Sequence, residues 1–255
     1  MHSVLFRIGQ FPVYAYGFFL GVAFLVGIYY ASRRAPGYGV SPDSVVEVSV
    51  LCIFGAIIGS RLVFVLLNWD IYRDNLIHIF LIREGGLTFY GGIFGAIFLA
   101  IPYIMHKKYS LPALFDVCTP AIALGYSIAR IGCFLNGCCY GRVCSYTSFP
   151  LGVHFPALEG WRYPTQLYSA GYSLLILYFL LKLEKKKVFR GELFFDYLWM
   201  YGIARFLIEY LRDEPFSVWG VMTAAQFACL LIIIIALILR EILRRHATQR
   251  SQKHS

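Results

Sequence analysis

The stretch Arg130-Ile131-Gly132-Cys133-Phe134-Leu135-Asn136-Gly137-Cys138-Cys139-Tyr140-Gly141 closes a long apolar run that begins near Pro112. It brings an arginine, an asparagine and three thiols to the edge of a predicted membrane helix. A guanidinium at that depth is costly unless an anionic partner compensates it or the side chain reaches the interface. We therefore expect an anion-binding site at one membrane face, with a lipid phosphate as the anion.

The composition predicts a membrane protein. Of the 255 residues, 59% are hydrophobic and only 15% are charged, whereas a soluble domain carries about 25% charged residues. The apolar residues form blocks of about 20, which is enough for a helix to cross a hydrocarbon core of about 30 Å. Continuous apolar runs argue against a β-barrel, whose strands alternate. The predicted fold class is all-α, a polytopic integral membrane protein.

The net charge of +9 does not require a nucleic-acid partner in such a protein. Basic residues collect in cytoplasmic loops and contact anionic membrane lipids, which we expect as partners. The first apolar block lacks an obvious small-residue cleavage site, so we expect a retained span rather than a signal peptide. No cofactor is expected.

Seven transmembrane spans are predicted within a single domain covering residues 1–255. They cover about 11–31, 45–68, 86–105, 112–135, 165–183, 192–211 and 217–239. The longest connection, residues 139–164, is predicted to form a small extracytoplasmic cap. With the N-terminus outside and the C-terminus in the cytoplasm, 14 Lys and Arg residues fall in inner segments and 6 in outer ones, as the positive-inside rule favours.

This topology gathers polar residues from six helices at one depth, on the extracytoplasmic side. The outer halves of the outward-running and inward-running spans contain Arg61, Arg130, Arg205, Glu209, Tyr16, Tyr90 and Gln166. We therefore expect the active site to face the outer leaflet.

Two guanidiniums are the main candidates for binding an anion. Arg205 and Glu209 are four residues apart, on one helix face, so Glu209 either only neutralises Arg205 or orients it toward an anion. Arg130 has no carboxylate in its own motif, which favours the second interpretation. Two arginines could hold a phosphate and stabilise the charge of a leaving group. Arg61 is either a third contributor or a partner of Glu209 or of a backbone carbonyl.

A glycine-rich segment, Gly85-Gly86-Leu87-Thr88-Phe89-Tyr90-Gly91-Gly92, opens the third predicted span. Glycines allow close approach of another helix or of a lipid. Tyr16, Tyr90 and Tyr201 could belong to the interfacial aromatic belt. Tyr90, between two glycine pairs, is the tyrosine for which we predict a functional role.

The cysteines near the signature stretch allow other interpretations. The spacing of Cys133, Cys138 and Cys139 fits a zinc site poorly, so no metal site is expected. A disulfide between Cys144 and Cys138 or Cys139 is plausible in an oxidising compartment. The alternative hypothesis is therefore a membrane thiol-disulfide redox protein that uses Cys138, Cys139 and Cys144. A lipid-binding or transport protein with the same arginine pocket is a third hypothesis.

Six motifs, in order and over almost the whole chain, resemble the bacterial prolipoprotein diacylglyceryl transferases. They are residues 12–17, 59–62, 85–92, 129–141, 163–168 and 205–209. The chain departs from the family pattern at Tyr90, where the family usually has histidine, at Cys133 in place of asparagine and at Cys138 in place of glutamate. Ala129 and Tyr163 replace a common glycine and histidine.

The resemblance implies transfer of a diacylglyceryl group from phosphatidylglycerol to the lipobox cysteine thiol of a prolipoprotein signal peptide, with a thioether as product and glycerol phosphate leaving. It also implies a place in the bacterial inner membrane. The expected catalytic residues are Arg130, Arg205, Tyr90 and Glu209. Expected substrate-binding residues are Arg130, Arg205, Tyr16, Arg61, Asn136, Gly141, Gln166 and Tyr201. The departures put the general base in question, because tyrosine, with a pKa near 10, is a poor base at neutral pH.

Overall fold

The computed structural model describes residues 4–73, 75–81, 85–156, 158–213, 218 and 220–253, and these residues are mostly helical. The helices are α1 (Ala15–Arg34), α2 (Pro42–Leu67), α3 (Trp69–Tyr72), α4 (Phe89–His106), α5 (Leu111–Asn136), α6 (Thr165–Glu184), α7 (Glu192–Glu209) and α8 (Ala224–Lys253). Short 3₁₀ turns cover Ala35–Tyr38 and Leu76–Phe80.

In the described part of the chain, six segments are long and apolar enough to cross a membrane. They are Ala15–Tyr38, Pro42–Leu67, Phe89–His106, Leu111–Asn136, Thr165–Glu184 and Ala224–Gln249. The predicted multi-pass, helical class is thereby confirmed. Helix α7 coincides with the predicted span 192–211 but is not among the six; it carries Glu192, Asp196, Arg205 and Glu209.

The first predicted span is wrong at its N-terminal end. Residues Phe11–Tyr14, predicted to be helical, form strand β2, which pairs antiparallel with strand β1 (Val4–Ile8) through a turn at Gly9. Gly9 has a φ of 60°, a conformation that glycine adopts without steric cost. Helix α1 therefore begins at Ala15. Residues 217 and 219 of the last predicted span lie outside the described residues.

The predicted 139–164 connection contains a second small sheet. Strands β3 (Val153–His154) and β4 (Trp161–Arg162) pair antiparallel, and Val143 bridges to Arg162. Backbone hydrogen bonds bring the two ends of this connection together and tie it to α7: Gly141 donates to Tyr163, and Arg142 donates to Leu211 near the end of α7. The described residues of this connection therefore include paired strands and a backbone contact with the end of α7.

Contacts divide the chain into two compact units. The first unit comprises Met1–Ala31 and Phe115–Ser255, and the second comprises Ser32–Leu114. In the second unit, α2 and α4 pack backbone to backbone at glycines. A Cβ on Gly59 would collide with the carbonyl oxygen of Gly91, and one on Gly55 with that of Gly95. Small residues at this spacing allow membrane helices to approach closely.

The first unit pairs its buried acids with cations. Asp116 is fully buried and accepts hydrogen bonds from Lys187 (3.1 Å) and from the backbone N–H groups of Gly191 (2.8 Å) and Leu193 (3.1 Å). Arg240 of α8 contacts Glu192 at 3.0 Å and Asp196 at 2.6 Å. Burying these carboxylates is tolerable because each has charged or backbone donors. The pairs join α7 to α8 and to α5.

Candidate active site

Arg130 lies on α5 one helical turn after Tyr126, and its guanidinium carbon is 4.7 Å from the centre of the Tyr126 ring. The Tyr126 hydroxyl is 3.0 Å from the hydroxyl of Tyr172 on α6. Among the described residues, Arg130 forms no ion pair with a carboxylate. It is therefore a cation stabilised by an aromatic face, and its charge remains available to an anion.

Tyr201 on α7 connects this arginine to the second one. Its ring packs edge to face against Tyr126, with centroids 5.6 Å apart, and stacks on Tyr197 at 5.6 Å. Tyr201 precedes Arg205 by one helical turn and interacts with it electrostatically. Ring contacts therefore connect Arg130 to Tyr201 through Tyr126, and Tyr201 interacts electrostatically with Arg205.

The predicted pair of Arg205 and Glu209 is present. Nη1 of Arg205 contacts Oε2 of Glu209, which also lies 3.6 Å from Nε of Arg212. The other carboxylate oxygen, Oε1, accepts a hydrogen bond of 3.0 Å from Thr223. Glu209 is 3% exposed, so its position is fixed by partners on both oxygens. Nε and Nη2 of Arg205 donate no hydrogen bond within the described part of the chain.

Three thiols gather where α5 ends. The sulfur atoms of Cys133, Cys138 and Cys139 lie within 4.8 Å of one another. The chain folds back because Gly137 and Cys139 adopt positive φ angles of 73° and 59°. The pKa of the Cys139 thiol lies well below its ordinary value, first because of hydrogen bonds from Cys133 and Cys138, and further because of the nearby Arg130 and Arg212.

The structure does not contain the disulfide that was plausible between Cys144 and Cys138 or Cys139. All seven cysteines are free thiols. The Cys144 thiol instead donates to the carbonyl oxygens of Tyr146 (3.5 Å) and Leu151 (3.8 Å) in its own loop. Sequence proximity suggested the pairing, but the local turn directs Cys144 to these carbonyls. Nothing in the geometry favours the redox hypothesis.

The start of α6 fixes the thiol turn. Gln166 is fully buried, and its Nε2 donates to the carbonyl oxygen of Cys138 at 2.7 Å, while Thr165 donates to that of Cys139 at 2.9 Å. The Asn136 side chain hydrogen-bonds to Cys138. Position 141 has no room for a side chain, because a Cβ there would lie 2.5 Å from the Leu211 carbonyl oxygen. Oε1 of Gln166 has no partner among the described atoms.

Tyr16 belongs to the same end of the first unit. It lies in the first turn of α1, is 43% exposed and interacts electrostatically with Arg130 and with the three clustered thiols. Helix α1 approaches α5 closely because Gly132 leaves room: a Cβ there would lie 2.6 Å from Cβ of Phe19. The structure thus brings together Tyr16, Arg130, Asn136, Gly141, Gln166, Tyr201, Arg205 and Glu209 within the first unit.

Arg61 and Tyr90 belong to the second unit. Arg61 is 5% exposed and donates through all three nitrogens to backbone carbonyls: those of Ile79 (2.8 Å), Gly85 (2.6 Å), Gly86 (3.2 Å), Leu81 (3.4 Å) and His78. Its guanidinium also lies 5.2 Å from the centre of the Tyr72 ring. Of the roles expected for Arg61, the observed contacts match pairing with backbone carbonyls.

Tyr90 lies in the first turn of α4 and is 72% exposed. The start of α4 is held against α2 by two side-chain hydrogen bonds: Ser60 donates to the Thr88 carbonyl at 2.7 Å, and the Thr88 hydroxyl donates to the Ser60 carbonyl at 3.1 Å. The only ring contact described for Tyr90 is with Phe89, at 5.7 Å. Its hydroxyl is therefore accessible for a hydrogen bond.

Sequence reasoning missed Tyr126 and Arg212. Tyr126 precedes Arg130 by four residues and Arg212 follows Glu209 by three, and both spacings place side chains on one helical face. These spacings are visible in the sequence. The contact between Tyr126 and Tyr201 on α7 could not be predicted, because a contact between two helices depends on how they pack.

The chain was compared with known proteins. The family described as prolipoprotein diacylglyceryl transferase matches residues 3–241. A phosphatidylglycerol–prolipoprotein diacylglyceryl transferase of Bacillus cytotoxicus is 35% identical over 262 residues, which cover 100% of this chain and 96% of the relative. One of Bacillus cereus (strain G9842) is 33% identical over 263 residues, with the same coverage. The chain belongs to the prolipoprotein diacylglyceryl transferase family, as its six ordered motifs predicted.

Proposed function

We propose that this chain transfers the diacylglyceryl group of phosphatidylglycerol to the thiol of the lipobox cysteine in a prolipoprotein signal peptide. Family membership and the names of the relatives, which specify phosphatidylglycerol and prolipoprotein, support this function. One observation supports assigning the reaction to this site. Arg130 lies on a predicted membrane helix, contacts an aromatic ring and forms no ion pair with a carboxylate among the described residues.

The reaction needs positive charge at the phosphate. The thiol sulfur attacks the glyceryl carbon that bears the phosphate ester oxygen, so a C–S bond forms while that C–O bond breaks. The thiol loses its proton, and glycerol phosphate leaves with the bonding electron pair. Arg130 and Arg205 would bind the phosphate and stabilise this developing charge, because guanidinium groups match phosphate oxygens in geometry and charge.

Glu209 would act by fixing Arg205. Its two oxygens are held by Arg205, Arg212 and Thr223, so it restricts the Arg205 guanidinium while leaving Nε and Nη2 free for the substrate. Tyr201 would separate and orient the two arginines through its contact with Tyr126. Holding charged groups in place before the reaction is what makes electrostatic catalysis effective.

The remaining residues would position the substrate. Tyr90 would donate a hydrogen bond to it, and Tyr16 would contact it beside Arg130. Asn136, Gly141 and Gln166 would shape the site by fixing the turn that follows α5. Arg61 would contribute to substrate binding indirectly, by holding the backbone carbonyls of residues 78, 79, 81, 85 and 86, which precede Tyr90.

The proposed setting is the bacterial inner membrane. The chain would cross it seven times as a single domain, with α7 as the sixth span, the N-terminus outside and the C-terminus in the cytoplasm. Residues 139–164 would cap the extracytoplasmic face, and the site would open toward the outer leaflet. The excess of Lys and Arg in the inner segments supports this orientation. The partners of the acids on α7 support its place among the spans.

The test is transfer in a defined membrane. Purified chain is reconstituted in vesicles containing phosphatidylglycerol, or in vesicles of phosphatidylethanolamine alone, together with a lipobox peptide or its cysteine-to-serine counterpart. We expect a diacylglyceryl adduct by mass spectrometry, with release of glycerol phosphate, only with phosphatidylglycerol and the cysteine peptide. An adduct on the serine peptide, or none with any combination, would contradict the proposal.

A further inference from the structure

We propose that Cys133, Cys138 and Cys139 form a binding site for one thiophilic d¹⁰ metal ion, Zn(II) or Cu(I). Their three sulfur atoms lie within 4.8 Å of one another, and no other histidine, cysteine or carboxylate joins the group among the described residues. The sequence spacing of these cysteines fits a zinc site poorly, but the turn after α5 brings their three sulfur atoms together.

The geometry fits such an ion with little adjustment. An ion placed between three sulfurs at this spacing lies within about 2.8 Å of each, so Zn–S bonds of ~2.3 Å need shifts of about 0.5 Å. Thiolates select soft cations such as Cu(I) and Zn(II). Three sulfurs alone complete a trigonal Cu(I) site, whereas Zn(II) would keep a water molecule in its fourth position.

The backbone under the cluster is held in place. Cys139 has a φ of 59°, a left-handed conformation that is uncommon for residues other than glycine. Gln166 and Thr165 hold the carbonyl groups of Cys138 and Cys139. The Cys138 N–H also donates to the Cys133 carbonyl at 3.1 Å. A turn fixed by donors on another helix is what pre-arranged ligands require.

Two positively charged arginines interact with the cluster. Arg130 interacts electrostatically with Cys133 and Cys139, and Arg212 interacts with Cys139. When the ion binds, each thiol loses its proton to solvent and donates a sulfur lone pair, and no electrons are transferred. Three thiolates leave a net negative charge around a mono- or divalent ion, and the two arginines offset it.

Metal retention tests the site directly. The purified full chain is stripped with a chelator under anaerobic reducing conditions and mixed with Zn(II) in one arm and Cu(I) in the other. After desalting, metal per chain is measured by mass spectrometry. We expect one ion per chain in at least one arm, and the arm that retains it identifies the metal. X-ray absorption should show a shell of three sulfurs.

Two variants make the result specific. The Cys133→Ser/Cys138→Ser/Cys139→Ser variant should lose the ion, whereas Cys52→Ser/Cys144→Ser should retain it, because Cys144 is hydrogen-bonded within its own loop. If the triple variant fails to fold, alkylation of the wild-type chain replaces it: bound metal should protect the three clustered thiols and leave Cys144 labelling unchanged. Retention in neither arm, equal retention by a folded triple variant, or no protection would overturn the proposal.

Discussion

The guanidinium of Arg130 lies 4.7 Å from the centre of the Tyr126 ring, and that ring is itself 5.6 Å from the ring of Tyr201. A partly desolvated cation over an aromatic face gains about 2 kcal/mol or more. The contact stabilises Arg130 without neutralising it, because the ring carries no formal charge. It also connects α5 to α7, on which Arg205 lies one turn beyond Tyr201. The tyrosines thus support two cations that we propose act on one phosphate.

Two substitutions of Tyr126 should distinguish the contribution of its ring from that of its hydroxyl group. Tyr126→Leu removes the aromatic face under Arg130 and should lower transferase kcat/KM by about tenfold, equivalent to ~1.4 kcal/mol. Tyr126→Phe keeps the ring and removes only the hydroxyl group, with its hydrogen bonds to Tyr172, Tyr201 and Arg130, so it should lose less activity. Initial rates with the lipobox peptide measure both. Equal losses in the two variants would show that the ring does not support Arg130.

Arg205 and Glu209 should behave as one unit. Arg205→Ala and Glu209→Ala should each reduce transfer strongly, and the double variant should be no worse than the weaker single variant, since the second change removes an interaction already lost. Glu209→Ala should also lower stability, because it removes a buried carboxylate that two half-buried arginines share. Rates and thermal unfolding form the double-mutant cycle. Additive losses would contradict the coupling.

Neighbouring glycines in α4 provide a matched test of packing. Gly91→Ala should destabilise the protein because its Cβ would collide with the Gly59 carbonyl oxygen, whereas a Cβ at Gly92 meets nothing closer than 3.4 Å. An overpacked contact costs about 1–3 kcal/mol, or a fall in Tm of several degrees. Thermal unfolding in detergent should show this fall for Gly91→Ala only. Equal Tm values for the two variants would argue against the close helix contact.

Two aspartates, one buried and one exposed, test how much a buried hydrogen-bonded carboxylate contributes to stability. Asp116 is fully buried and accepts three hydrogen bonds, whereas Asp70 pairs with Arg73 at an exposed position. Asp116→Asn should lower the free energy of unfolding by about 1–3 kcal/mol, since it weakens hydrogen bonds to a charged acceptor. Asp70→Asn should have little effect, as expected for an exposed pair. Denaturant titration compares them, and a larger loss in Asp70→Asn would refute this account.

The parts of the fold and site that were predictable depend on patterns within one segment. Apolar run length located the helices, and i,i+4 spacing identified the pair of Arg205 and Glu209. The parts that were not predictable depend on contacts, local or tertiary, that the residue pattern does not specify. The paired strands at the N-terminus replaced the expected start of α1. Arg61 donates hydrogen bonds to backbone carbonyls of residues 78, 79, 81, 85 and 86. The Cys144 thiol donates to carbonyls in its own loop. None of these partners lies at a fixed sequence spacing.

The most direct test of the central claim compares two arginines. Arg130→Ala and the matched control Arg73→Ala, which removes an exposed arginine, are reconstituted with phosphatidylglycerol and the lipobox peptide, and adduct and glycerol phosphate are followed together. Losing a group that stabilises the leaving phosphate should cost about 10²–10³-fold in rate. We predict that loss for Arg130→Ala, with normal accumulation, and a wild-type rate for Arg73→Ala. A wild-type rate for Arg130→Ala would contradict the account.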